Sequence, residues 1–159
     1  MKAFLSYSLT DNDQFVIPLV TQKLQNKGFF VTNGSYKVGN EIDVHTLNEI
    51  NTSSLFIGII TNTANANQRV YKEWWHSSNR RIPSFLLVED TYNLNPSLNL
   101  ENHPNLIRFN RNYPERAIDT IKLQINKSKA NNNSKLDEAV PWLLGGAALI
   151  ALVALLSSD

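Results

Sequence analysis

The stretch Leu55–Ile60, with the sequence LFIGII, decides the fold class. Both faces of a strand with this sequence are apolar, and a strand that is apolar on both faces is typical of the centre of a parallel sheet. We therefore expect a sheet that is covered by helices on both sides, with LFIGII in the middle of it.

Four shorter apolar runs flank this stretch, and segments with helical periodicity separate them. The predicted strands are Ala3–Tyr7, Phe29–Thr32, Ser84–Val88 and Leu106–Phe109. Strict alternation of strand and helix predicts parallel pairing. The fold class is therefore α/β, a flavodoxin-like three-layer sandwich with a five-stranded parallel sheet.

The predicted helices carry recognisable start and stop signals. Thr10 or Asp11 can cap the first helix, Gly28 ends it, and Pro18 kinks it or marks its true start. Its apolar face is expected to hold Phe15, Val16, Leu19, Val20 and Leu24.

Three further helices are predicted along the chain. Asp43 can cap a short second helix with Val44, Leu47 and Ile50 on its apolar face. A third helix over Gln68–Ser78 buries Val70 and Trp74, and Pro114 is a suitable first residue for a last one.

The composition excludes several classes of protein and site. The chain has 159 residues and a net charge of +1, which disfavours a nucleic-acid binder that relies on a strong positive field. It has no cysteine, so disulfides and thiolate metal sites are excluded. The three histidines, His45, His76 and His103, match no metal-ligand spacing, and no metal is expected.

An uncharged apolar segment, residues 139–156, lies near the C-terminus. As a helix it would span roughly 27 Å, close to the bilayer's hydrocarbon thickness. We predict a transmembrane helix here, after a polar linker at 128–138; a buried core helix is the alternative. Lys127, Lys129 and Lys135 precede the segment, so the positive-inside rule predicts a single-pass, C-terminal anchor in the cell membrane with residues 1–127 in the cytoplasm.

Ligands of parallel sheets bind at the carboxyl ends of the strands. Those ends here are Ser6–Ser8, Thr61–Asn62 and Glu89–Asp90. Neither a GxxxxGK[ST] phosphate loop nor a GxGxxG loop is present, and the first strand end lacks the acidic residues of a magnesium site. The first strand end is rich in hydroxyl groups instead, and the chemistry of the chain is expected at these strand ends.

Four stretches in this order resemble the TIR (Toll/interleukin-1 receptor) domain family. They are KAFLSYSLTD at 2–11, VGNEIDVHTLNEINTSSLFIGIIT at 38–61, NQRVYKEWW at 67–75 and IPSFLLVED at 82–90. The resemblance covers about residues 2–127. It is strongest to bacterial TIR-like proteins of antiphage defence systems.

The resemblance implies cleavage of NAD at the nicotinamide–ribose bond, with NAD as substrate and no further cofactor. Glu73 matches the family's catalytic glutamate, and we expect it at the rim of a cleft. Ser6, Tyr7, Ser8 and Asp11 would line the nucleotide cleft, Tyr36 would stack on a ring, and Arg69 would bind a phosphate. An ion pair of Glu73 with Arg69, four residues earlier, is the alternative.

Two departures from the family pattern bear on activity, since Asn67 and Arg69 stand where bacterial members often have Ser and Trp. A non-catalytic module that assembles through homotypic contacts, or one that gates its own membrane helix, is therefore the alternative function. Self-association and a sensor protein encoded nearby are the expected protein partners, beside the membrane and NAD or a related nucleotide.

Overall fold

A computed structural model gives the fold of the chain. It describes residues 1–8, 15–26, 28–34, 41–62, 67–96, 100, 103, 105–113, 115–116 and 119–120. The elements of this part are β1 (Lys2–Ser6), α1 (Val16–Asn26), β2 (Phe30–Thr32), α2 (Val44–Asn51), β3 (Leu55–Ile60), α3 (Asn67–Asn79), β4 (Ser84–Glu89) and β5 (Leu106–Phe109).

The five strands form one sheet in the order β2-β1-β3-β4-β5, and every neighbouring pair is parallel. All six residues of the central strand, Leu55–Ile60, are buried. In the register, Ala3 lies opposite Leu55, and Phe56 lies opposite Ser84. The predicted parallel sheet with LFIGII at its centre is confirmed, and the strand order is the flavodoxin-like one.

Helices cover both faces of the sheet, because side chains alternate along each strand. One core joins α1 to strand residues such as Leu5 and Ile57. The other joins α2 and α3 to strand residues such as Phe4 and Phe56, whose rings stack at 5.7 Å. The predicted three-layer arrangement is thus present in the described part of the chain.

The predicted C-terminal end of α1 and the predicted N-cap of α2 are both confirmed. Gly28 has φ +80°, its N–H donates to Gln25 O at 2.9 Å, and the N–H of Phe29 donates to Leu24 O at 3.1 Å. This pair of bonds is a Schellman motif, which ends α1. Asp43 caps α2, since its carboxylate accepts from the Thr46 N–H at 3.0 Å.

The first turns of α1 and α2 differ from the prediction. Phe15 and Val44 were expected on buried faces but are 81% and 74% exposed. Phe15 precedes α1, which begins at Val16, so it lies outside the helical repeat. Val44 is the first residue of α2, and Thr46 is buried in its place. Pro18 lies in the first turn of α1, where its missing N–H costs little.

Several predicted segments lie outside the described residues. These are the cap at Thr10 or Asp11, most of the helix after Pro114, the linker at 128–138 and the apolar segment 139–156. Within the described ranges, no helix is both long and apolar enough to cross a membrane.

Candidate functional site

The carboxyl end of β1 presents a buried hydroxyl group to α3. Ser6 shares a strand face with Phe4, which belongs to the core under α2 and α3. Ser6 and Ser8 are both buried. Tyr7 points the other way and packs against the core under α1. Alternation along the strand therefore separates the Tyr7 ring from the two serine side chains.

Glu73 lies on α3 directly against this strand end. The Ser6 hydroxyl donates to Glu73 Oε2 at 2.5 Å, and Arg69 Nη1 donates to Glu73 Oε1 at 2.8 Å. Both carboxylate oxygens are thus engaged by short, charge-assisted hydrogen bonds. Arg69 and Glu73 are neighbours because positions four apart share a helix face.

Arg69 also ties α3 to the strand. Its Nη2 donates to the backbone oxygen of Tyr7 at 2.6 Å. The side chains of Arg69 and Glu73 are only 6% and 1% exposed. The guanidinium therefore covers the carboxylate while it bridges helix and sheet.

The surroundings of Glu73 make its carboxylate bind a proton more readily than an exposed glutamate does. Burial is the largest influence and raises the pKa of Glu73 above its ordinary value, and the charge of Asp43 acts in the same direction. The charge of Arg69 and the hydrogen bonds from Ser6 and Arg69 oppose this rise without cancelling it. A carboxyl group with a raised pKa is typical of functional sites, although structural ion pairs also perturb pKa values.

Glu73 does not lie at a cleft rim as expected, because it is buried. The helix turns this position toward β1 rather than toward solvent, since Val70 and Trp74, its neighbours on α3, are both core residues. The ion pair with Arg69, the alternative prediction for this residue, is present.

The structure brings together four of the predicted site residues, namely Ser6, Tyr7, Arg69 and Glu73. Tyr7 joins them through its backbone oxygen, while its hydroxyl accepts from Asn33 Nδ2 at 3.0 Å. Ser8 is buried at the same strand end. Asp11 and Tyr36 lie outside the described residues, so their predicted roles stay predictions.

A second buried carboxylate, Glu89 at the end of β4, was not singled out from the sequence. Arg111 Nε and Nη2 donate to its two oxygens at 2.9 Å each, and the Asn62 N–H donates to Oε2 at 2.7 Å. Burial acts to raise its pKa, but the bonds from Arg111 and Asn62, with the Arg111 charge, outweigh burial and lower it. Its position at a strand end was the one available signal.

The Ser6–Arg69–Glu73 cluster is suited to electrostatic chemistry. A carboxylate held by a hydroxyl group can stabilise positive charge that develops on a sugar carbon, or accept hydrogen bonds from sugar hydroxyls. Within the described ranges, no group of three or more acidic or histidine side chains is placed to hold a metal ion.

Comparison with known proteins finds similarity at the level of structure. No protein-family model matches the chain, and no curated protein matches its sequence. The chain is similar in structure to the TIR domains in the activated Roq1 resistosome that directly recognises the pathogen effector XopQ. The TM-score is 0.47 at 14% identity, over 99% of this chain and 84% of that chain.

Proposed function

We propose that the chain is a membrane-anchored TIR-domain protein of a bacterial antiphage defence system, and that it cleaves NAD to nicotinamide and ADP-ribose or a cyclised product. One observation carries the catalytic part of this proposal. Glu73, the position that the sequence resemblance assigns to catalysis, is hydrogen-bonded to Ser6 at the carboxyl edge of a parallel sheet, which is where ligands of such sheets bind.

In the proposed reaction, the bond between the nicotinamide nitrogen and the ribose carbon breaks, and the bonding electrons leave with nicotinamide. The ribose carbon acquires positive charge, which an ionised Glu73 stabilises. Water or a hydroxyl group of the same molecule then attacks that carbon and loses a proton. Because Arg69 covers Glu73 in this structure, Arg69 has to release Oε1 before substrate can reach the carboxylate.

The test is NAD turnover by the full-length chain and by Glu73→Gln at equal, high concentration. This change keeps the shape of the side chain and removes its charge. We expect turnover to fall about 10²-fold or more, as when one transition-state-stabilising group is lost. Glu41→Gln is the matched control, because the Glu41 side chain is 92% exposed and forms a surface ion pair with Lys72. Equal turnover by wild type and Glu73→Gln would show that Glu73 is not catalytic.

A non-catalytic assembly module is the second candidate function, and the burial of the ion pair favours it. The carboxylate of Glu73 is covered by Arg69, at a position where bacterial relatives often carry Trp. If this candidate is right, the wild-type chain at high concentration consumes no NAD, yet analytical ultracentrifugation shows that it self-associates as its concentration rises. NAD loss that disappears in Glu73→Gln would reject it.

The membrane anchor is proposed from residues 139–156, which carry no charged side chain. We expect the full-length chain in the membrane fraction and a chain truncated after residue 135 in the supernatant. Ile150→Lys should weaken insertion by about 2.5–3.5 kcal/mol. Recovery of the full-length chain in the high-speed supernatant would contradict the anchor.

A further inference from the structure

A cavity of about 430 Å³ lies beside α3, on a different flank from Glu73. Its walls include Ile60, Asn67, Gln68, Tyr71, Tyr92 and Leu94. At 3.6 residues per turn, the Asn67/Tyr71 side of α3 is about 160° around the helix from the Arg69/Glu73 side. The volume falls in the range of small-molecule sites, and the cavity is separate from the Ser6–Arg69–Glu73 cluster.

Asn67 supplies a buried acceptor at this cavity. The residue is only 7% exposed, and its Nδ2 donates to Thr61 O at 2.8 Å. The amide orientation is fixed chemically, because a backbone oxygen can only accept. Asn67 Oδ1 is buried and has no hydrogen-bond donor among the described residues. A buried acceptor without a donor is costly, so a ligand N–H that supplied one would gain binding energy here.

The remaining walls suit a flat, uncharged ring. Tyr71 and Tyr92 offer aromatic faces, and Ile60 and Leu94 offer aliphatic surface. Lys72 is the one charged side chain among the described lining residues, and its Nζ lies 3.0 Å from Glu41 Oε1, so no lining group favours a cation. Because Asn67 Oδ1 is buried, a donor reaches it only when a neighbouring side chain moves, and Gln68 is the exposed lining residue next to it.

One wall of the cavity is held in place by hydrogen bonds from β5. Arg108 Nη1 donates to the backbone oxygens of Glu89 at 3.0 Å and Tyr92 at 2.6 Å. These bonds fix the start of the β4–β5 connection, which carries Tyr92 and Leu94. The aromatic wall is therefore formed before any ligand arrives, which lowers the entropic cost of binding.

We infer that this cavity binds a planar nitrogen heterocycle with an exocyclic amino group, whose N–H donates to Asn67 Oδ1 while the ring packs on Tyr71 and Tyr92. The class includes aminopurine nucleosides. The inference does not depend on NAD cleavage, because it uses neither Glu73 nor Ser6.

The test compares two probes on the full-length chain by calorimetric titration. Adenosine carries the amino group, and purine riboside is the same molecule without it. We expect adenosine to bind about 2- to 12-fold more tightly, the range for one neutral hydrogen bond. Asn67→Leu should abolish this preference, whereas Asn79→Leu, the same substitution at the exposed end of α3, should retain it.

Two further variants locate the site. Tyr92→Leu should weaken both probes, and Phe30→Leu, the loss of an aromatic ring at an exposed position of β2, should leave both unchanged. The inference is overturned if neither probe binds at millimolar concentration, if wild type binds both equally, or if Asn67→Leu keeps the preference. If Asn67→Leu does not fold, two other results test the inference: tighter binding of adenosine than of purine riboside by wild type, and weaker binding of both by Tyr92→Leu. Both results together support the inference, and the absence of either one overturns it.

Discussion

Glu73 and Glu89 are both buried glutamates that pair with arginine at the carboxyl edge of the same sheet, yet their proton affinities shift in opposite directions. The pKa of Glu73 is raised by burial, whereas hydrogen bonds and the Arg111 charge outweigh burial at Glu89 and lower its pKa. Arg69 is 6% exposed, and Arg111 is 37% exposed. The second pair therefore keeps contact with solvent, while the first does not.

The geometry of the two arginines accounts for the rest of the difference. Two nitrogens of Arg111, Nε and Nη2, donate to Glu89, which also receives the Asn62 N–H. Arg69 divides its donors between Glu73 and the backbone oxygen of Tyr7. A carboxylate with fewer donors and less solvent is held less firmly in its charged form. Of the two glutamates, Glu73 is thus the better suited to accept a proton or to interact with a positively charged group.

The largest difference between the pairs should appear when the arginines are removed. At pH 7, Arg69→Met should lower the free energy of unfolding by about 3–5 kcal/mol, because it leaves a buried charge without its partner. Urea denaturation followed by tryptophan fluorescence measures this loss.

Arg111→Met is the matched control and should cost less than Arg69→Met, since Arg111 is 37% exposed and Glu89 keeps the hydrogen bond from the Asn62 N–H after the arginine is removed. Combining Arg69→Met with Glu73→Gln should recover most of the lost stability. Equal costs for the two arginine variants would mean that burial does not distinguish the pairs.

A smaller effect is expected from Ser6→Ala, which removes one donor from Glu73. Loss of a hydrogen bond to a charged group should cost about 1.5–3 kcal/mol at pH 7. The pKa of Glu73 should rise further, because the Ser6 bond opposes the rise. NMR titration of the Glu73 carboxyl carbon would detect this change, and an unaltered titration would show that Ser6 does not stabilise the carboxylate.

The smallest effect is expected from a change of pH alone. Each unit by which a pKa differs between the folded and unfolded states changes the free energy of unfolding by about 1.4 kcal/mol at most. Between the ordinary value of 4.5 and its raised value, Glu73 holds more protons in the folded state, so its contribution to stability falls as pH rises through that window. Glu89 holds fewer protons in the folded state below 4.5, so its contribution is lost as pH falls there.

Unfolding of wild type, Glu73→Gln and Glu89→Gln across about pH 3–8 tests these signs. As pH rises above 4.5, the free energy of unfolding of wild type should fall relative to that of Glu73→Gln. The difference between wild type and Glu89→Gln should shrink as pH falls below 4.5. If both stability differences changed with pH in the same direction, the two ion pairs would not differ as proposed.

The sequence by itself determined the sheet and several of the helix ends. Alternating strand and helix signals predicted five parallel strands, and LFIGII lies at the centre because only a doubly covered strand buries both of its faces. Asp43 and Gly28 act where predicted, because capping and a positive φ depend on one or two residues. The exposed positions of Phe15 and Val44 were missed, because they depend on where a helix begins.

Tertiary structure alone decided the state of the candidate site. The spacing of Arg69 and Glu73 allowed an ion pair, but the sequence gives no measure of how much solvent that pair retains. Contact with Ser6, 67 residues away along the chain, and the bond from Arg69 to the Tyr7 backbone arise only when α3 packs on β1. Burial, and with it the raised pKa of Glu73, is set by that packing, because desolvation depends on everything around a group rather than on its neighbours in sequence.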